Sequence, residues 1–192
     1  NVSSDDLPVT SGVCQTTFGG GSTDAFVAKF SSSGMLQWAT YYGGQYEDRA
    51  QAITTDAFNN VCITGYTESD DFPVSPGAYQ TAISGGAFIK DVFVVQLDVN
   101  GALQWATYYG GTNPDNGNGI CTDVNNNVIV TGFAGSPNFP VTPGVFKTQG
   151  GNDAFIVKFN NLGIRQCASF FGGSSDEDDG KAVTTDAAGN II

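Results

Sequence analysis

The chain has 192 residues, 40% hydrophobic and 14% charged, with a net charge of −12. That is enough apolar side chain for a real core and too little charge for wholesale disorder. With only seven Lys and Arg there is no cationic surface for nucleic acid or an anionic membrane, and with no histidine Cys/His zinc sites are excluded. No run of 18 or more apolar residues occurs, so no membrane insertion is expected. The first residues carry no basic and then apolar leader pattern, and the chain reads as a mature form or an internal piece.

In chain order, the first feature is a Pro-marked connector, Asp6–Gly12. A strand Asp24–Phe30 follows, and then Leu36–Gly44, reading LQWATYYGG. Next come Ala52–Asp56, a short turn, and Val61–Gly65, closed by a second connector at Asp71–Gly77. The order then restarts. Asp91–Leu97 matches Asp24–Phe30, and Leu103–Gly111 repeats LQWATYYGG letter for letter. Gly119–Asp123, Val128–Gly132 and the connector Asn138–Gly144 complete the second copy. A third opens with Asp153–Phe159, continues in the diverged Arg165–Gly173 and reaches Ala182–Asp186.

Self-similarity at this period is the mark of a repeat architecture. The strands are short, rich in β-branched and aromatic residues and free of helical periodicity, with Asn/Gly turns between them. Asp91–Leu97 is apolar at nearly every position rather than alternating, which predicts a sheet covered on both faces. The expected fold is all-β: β-propeller blades of four antiparallel strands, in an incomplete ring of about three repeats. Stacked hairpins in a solenoid are the competing architecture. The repeats divide as 1–69, 70–136 and 137–192, with complete blades at about 50–109 and 117–171. The whole of 1–192 then reads as a fragment of one propeller domain, and the remaining blades are expected from the same longer chain.

The unit, with its LQWATYYGG strand and its FPVxPG connector (Phe72–Gly77, Phe139–Gly144), resembles the bacterial SBBP repeat, named for seven-bladed β-propellers. The resemblance covers essentially the whole chain. It implies an extracellular or cell-surface location and a non-enzymatic scaffold or adhesion role, and it supplies no catalytic residues. Two departures stand out. Arg165 and Cys167 replace Leu and Trp in the third copy, so that its outer edge should pack differently. Cys14 fills an aromatic slot held elsewhere by Tyr79 and Phe146. Both cysteines read as small buried apolar substitutes, with a disulfide as the alternative.

In four-stranded antiparallel blades, the connections alternate between two ends. All the acidic residues except Asp56, Asp98, Asp123 and Asp186 fall at one of them, giving a negative rim suited to a protein or glycan ligand. The densest stretch, Ser174–Gly180, has counterparts at Gln45–Asp48 and Thr112–Asn116. Calcium at these acidic loops is possible, since it favours several oxygen ligands, but the EF-hand spacing is absent and a solvated acidic turn is the plainer account. Asp56, Asp123 and Asp186 recur in every copy before Asn or Gly-Asn and read as turn-forming carboxylates rather than active-site acids. Trp38 and Trp105, with Tyr41, Tyr42, Tyr108 and Tyr109, could stack on sugars, though packing between blades explains them more simply. No catalytic, cofactor-binding or metal-ligating residue is assigned, and no enzyme is expected. The alternatives are part of a polysaccharide-degrading propeller, whose paired acids composition does not exclude, and a subunit of an extracellular structural polymer.

Overall fold

The computed structural model describes residues 1–174 and 177–192, and the described residues hold strands without helix. The strands are β1 (Ala25–Phe30), β2 (Leu36–Tyr42), β3 (Asp48–Thr55), β4 (Val61–Thr67) and β5 (Asp91–Leu97). After them come β6 (Leu103–Tyr109), β7 (Asp115–Thr122), β8 (Val128–Ala134), β9 (Asp153–Phe159) and β10 (Arg165–Phe171). They form two four-stranded antiparallel sheets, β3-β4-β5-β6 and β7-β8-β9-β10, preceded by the two-stranded β1-β2. Single bridges, Val2 to Asp24 and Thr185 to Ile191, extend the same pairings at either side. This is the expected all-β blade architecture, with the sheets stacked side by side and not closed into a ring. The first strand of each complete sheet starts earlier than Ala52 and Gly119, because Asp48–Ala50 and Asp115–Gly117 continue the ladder beyond a register shift.

Why the sheets stack is plain from β5, where every residue is buried. Side chains alternate across a strand. Val92 and Val94 therefore enter one core with Val128, Val130, Phe155 and Val157, while Phe93, Val95 and Leu97 enter another with Val27, Trp38, Tyr42 and Ile63. A sheet with two apolar faces needs a neighbour on each. The connector phenylalanines plug these cores near one end. Phe72 lies 5.1 Å from Tyr42 and 4.9 Å from Phe93, and Phe139 lies 5.0 Å from Tyr109 and 4.7 Å from Phe155.

At the other end a tryptophan ties adjacent blades. Trp38 Nε1 donates to Val99 O at 2.9 Å, and its ring lies flat against Gly101, where an added Cβ would sit 3.0 Å from the indole. Trp105 meets Gly163 in the same way, and both glycines also adopt positive φ, so no other residue suits the turn. In the third copy Arg165 does lie differently: its guanidinium sits 4.5 Å over the Tyr79 ring, and Nη1 donates to Pro140 O at 3.1 Å.

Phe139 is 3% exposed and Phe146 82%, which sets up a contrast. Phe139→Ala should cost about 3–5 kcal/mol in urea unfolding, through lost burial and the cavity left behind. Phe146→Ala should stay within about 0.5 kcal/mol.

Candidate functional site

The short turns at one end are built alike in every copy. Asp56 Oδ1 accepts from Phe58 N and Asn60 N, both at 2.9 Å, and Oδ2 accepts from Asn60 Nδ2 at 2.8 Å. Asp123 does the same with Asn125 and Asn127, and Asp186 with Ala188 and Asn190. These carboxylates are turn-formers with their lone pairs committed, as the pattern led one to expect. Asp123 also pairs with Lys158 Nζ at 2.8 Å. Burial would raise its carboxyl, but the Asn127 amide, the Lys158 ammonium and two backbone N–H groups outweigh it and hold the group at about 2.

The aromatic candidates are not a platform. Trp38, Trp105, Tyr42, Tyr108 and Tyr109 are buried between blades, and Tyr41 is buried under Phe18. Their hydroxyls are used internally: Tyr41 donates to Ser4 O, Tyr42 to Pro73 O and Tyr108 to Ser69 O. The four cysteines are free thiols. Burial pushes the Cys14 and Cys121 thiols up, and that of Cys62 up to about 12, so none of these three is poised as a nucleophile.

The opposite end is the acidic rim, and its acids differ in exposure. Asp5, Asp6, Asp70, Asp71 and Glu177 are exposed and give the rim its negative field, Asp24, Asp48, Asp91, Asp115 and Asp153 are buried, and Glu47, Glu68, Asp178 and Asp179 lie between the two. Gln45–Asp48 and Thr112–Asn116 are therefore not simply solvated turns, because Asp48 and Asp115 open β3 and β7 beneath the surface. Of the Ser174–Gly180 stretch, Ser175 and Asp176 lie outside the described residues. Asp178 Oδ2 accepts from Gly173 N at 2.7 Å, and Asp179 pairs with Lys181. A cleft of about 580 Å³ opens there, lined by Lys147, Asp153 and Glu177 among others.

The buried acids meet at the Gly-Gly corner that ends the LQWATYYGG strand. An added Cβ on Gly43 would lie 2.9 Å from Asp24 Oδ1 and 2.8 Å from Asp48 Oδ2; on Gly110, 2.5 Å from Asp91 Oδ1 and 2.9 Å from Asp115 Oδ2. Glycine is required because two carboxylates close on it. Asp48 and Asp115 each accept from the second glycine's N–H and from a serine, Ser69 or Ser136. Burial pushes the carboxyls of Asp24 and Asp115 up to about 6 and those of Asp48 and Asp91 up to about 7. For Asp48 and Asp91 the facing aspartate adds to the rise. Sequence reading placed these residues on the rim and missed the corners; the signal was the Gly-Gly pair recurring with an Asp four or five residues later. Among the described residues no three His, Cys, Asp or Glu side chains converge as a metal-holding group, and no helix is long and apolar enough to cross a membrane.

Two outcomes test these assignments. Asp123, lowered from 3.8 to about 2, contributes stability that is complete above its ordinary value and is lost as pH falls through about 2. Wild type should thus unfold at higher urea than Asp123→Asn at pH 6, with the gap shrinking towards pH 2. In the native protein at pH 8, Cys62 should resist a thiol-labelling reagent that modifies it readily in denaturant.

The model of the SBBP beta-propeller repeat family matches residues 37–73, which run from the LQWATYYGG strand to the FPV connector. An uncharacterized WD repeat-containing protein, L264, of Acanthamoeba polyphaga mimivirus is 28% identical over 194 residues. That alignment covers 84% of this chain, and the chain spans 13% of the relative's length. These matches speak to the repeat and to neither a bacterial source nor a blade number of seven. Residues 37–73 thus match the SBBP beta-propeller repeat, and the two complete blades repeat the same four-stranded unit.

Proposed function

We propose that this chain is a non-enzymatic binding or scaffold segment of a longer, exported propeller protein, whose acidic rim receives a protein or glycan ligand. The observation that carries this reading is how the recurring polar groups are spent. Asp56, Asp123 and Asp186 each saturate a turn, and the tyrosine hydroxyls bond connector carbonyls, so what repeats is architecture rather than a reacting constellation. Asp5, Asp6, Asp70 and Asp71 are exposed and present negative charge outward. Such a field favours a cationic partner surface and speeds encounter with it.

Phe30 and Phe171 are exposed on the outward faces of the first and last sheets. Further blades of the same polypeptide would cover them and carry the arc towards a ring of the usual four to eight. Export and a cell-surface setting belong to this proposal, as does the absence of catalysis.

A glycan array read beside an oligosaccharide-release assay tests it. The expected result is retention of a glycan or a basic protein without cleavage, with the basic ligand lost as salt is raised. Release of oligosaccharide on multiple turnover would replace this reading with that of a polysaccharide-degrading propeller.

A further inference from the structure

The three Gly-Gly corners are equivalent in backbone and different in charge. Gln15, Gln80 and Lys147 occupy one position: their backbone N–H groups donate to Thr40 Oγ1, Thr107 Oγ1 and Ser169 Oγ respectively. In the third corner the Lys147 ammonium sits inside the site. It lies 2.8 Å from Asp153 Oδ1 and 3.1 Å from each of Gly172 O and Gly173 O. One carboxylate oxygen and two carbonyl oxygens thus converge on a positive charge.

In the first two corners no ammonium is present. Gln15 Oε1 accepts from Gly43 N at 3.0 Å and Gln80 Oε1 from Gly110 N at 3.1 Å, while Gln80 Nε2 donates to Asp91 Oδ2 at 2.8 Å, so each glutamine brings an amide oxygen to the corner and no charge. The oxygens matching the one that Lys147 holds are Asp24 Oδ1 and Asp91 Oδ1. Both are buried and accept no hydrogen bond from the protein, while their residues are fully inaccessible. Asp48 and Asp115 face them across Gly43 and Gly110, and no Lys or Arg pairs with any of the four. A buried carboxylate oxygen without a donor is costly, and two carboxylates together are more so.

We propose that the corners Asp24–Gly43–Asp48 and Asp91–Gly110–Asp115 each bind a hard divalent cation of the calcium class, in the place that the Lys147 ammonium takes in the third. The donors support that class. Carboxylate, amide and backbone carbonyl oxygens suit calcium, whereas zinc and copper favour the nitrogen and sulfur ligands that are missing at the corners. The exposed Asp71 borders the first corner beside Gly44, where the second corner has Asn138 beside Gly111, and both sites lie where a blade's last strand turns into the next blade's first. A cation there would join two adjacent blades through oxygens from both.

The test is calcium titration of protein stripped with chelator, followed by calorimetry and by thermal unfolding. Wild type should take up one equivalent for each of the two corners and melt higher in calcium, since a ligand that binds only the folded state stabilises it. Gln80→Lys copies the third corner into the second, a substitution that this backbone already accommodates. It should remove one equivalent and leave the melting temperature without calcium unchanged or raised; Gln15→Lys should do the same for the first corner. Asp91→Asn should also remove one equivalent. No heat and no melting shift up to about 10 mM calcium, beyond the weak end of extracellular calcium modules, would overturn the proposal. So would calcium uptake that Gln15→Lys and Gln80→Lys leave intact, because the ion would then be held elsewhere on the acidic surface.

Discussion

The central sheet, β3-β4-β5-β6, is apolar on both faces, and the rest of the structure answers to that. β5 divides its residues between two cores, so a single blade would expose one of them to water. Fully burying an aliphatic or aromatic side chain is worth about 1.5–3 kcal/mol, and each interface holds a dozen or so of them. Stability is therefore a property of neighbouring pairs, as in other repeat arrays. The connector phenylalanines belong to this logic. Phe72 and Phe139 leave the sheets to fill the cores from the side, which explains why both of these connectors keep the same Phe-Pro.

Polar chemistry is confined to the two ends and serves different purposes at each. At the tight-turn end, side chains of Asp56, Asp98, Asp123, Asn160 and Asp186 accept from backbone N–H groups two and four residues on. Aspartate and asparagine do this equally well because the acceptor is a single planar oxygen. Trp38 reaches across to the turn of the next blade there, so turn geometry and blade stacking are one system.

The copies diverge at both ends, and divergence is informative in a repeat protein. The position of Lys29, Gln96 and Lys158 on the third strand shows how a site adjusts. Lys158 pairs with Asp123, Gln96 bonds Asp56 and Trp105, and Lys29 reaches Val99 O. Local charge balance is re-solved in each blade while the backbone stays fixed. The Gly-Gly corners follow the same rule with Lys147 in one and glutamine in two.

Much of this architecture is written in the chain itself. Exact recurrence of LQWATYYGG, the strand lengths and the Asx turns before Asn determine blades, hairpins and the two-faced burial of β5, because each rests on local propensity or on a two-residue period. The turn role of Asp56, copied in every unit, and the buried role of Trp105, copied from Trp38, were equally legible, since a recurring side chain answers a structural demand that the units share. What only tertiary structure decided is which acids are surface charge and which are buried partners. Asp24 immediately precedes β1 and Asp48 opens β3 in another sheet, and no local pattern brings the two together. Their meeting across Gly43 is set by how one blade seats against the next, and so is the close fit that bars any side chain from that glycine. The bond of Lys147 to Asp153 Oδ1 arises because the fold carries the lysine to a carboxylate that packing has stripped of water.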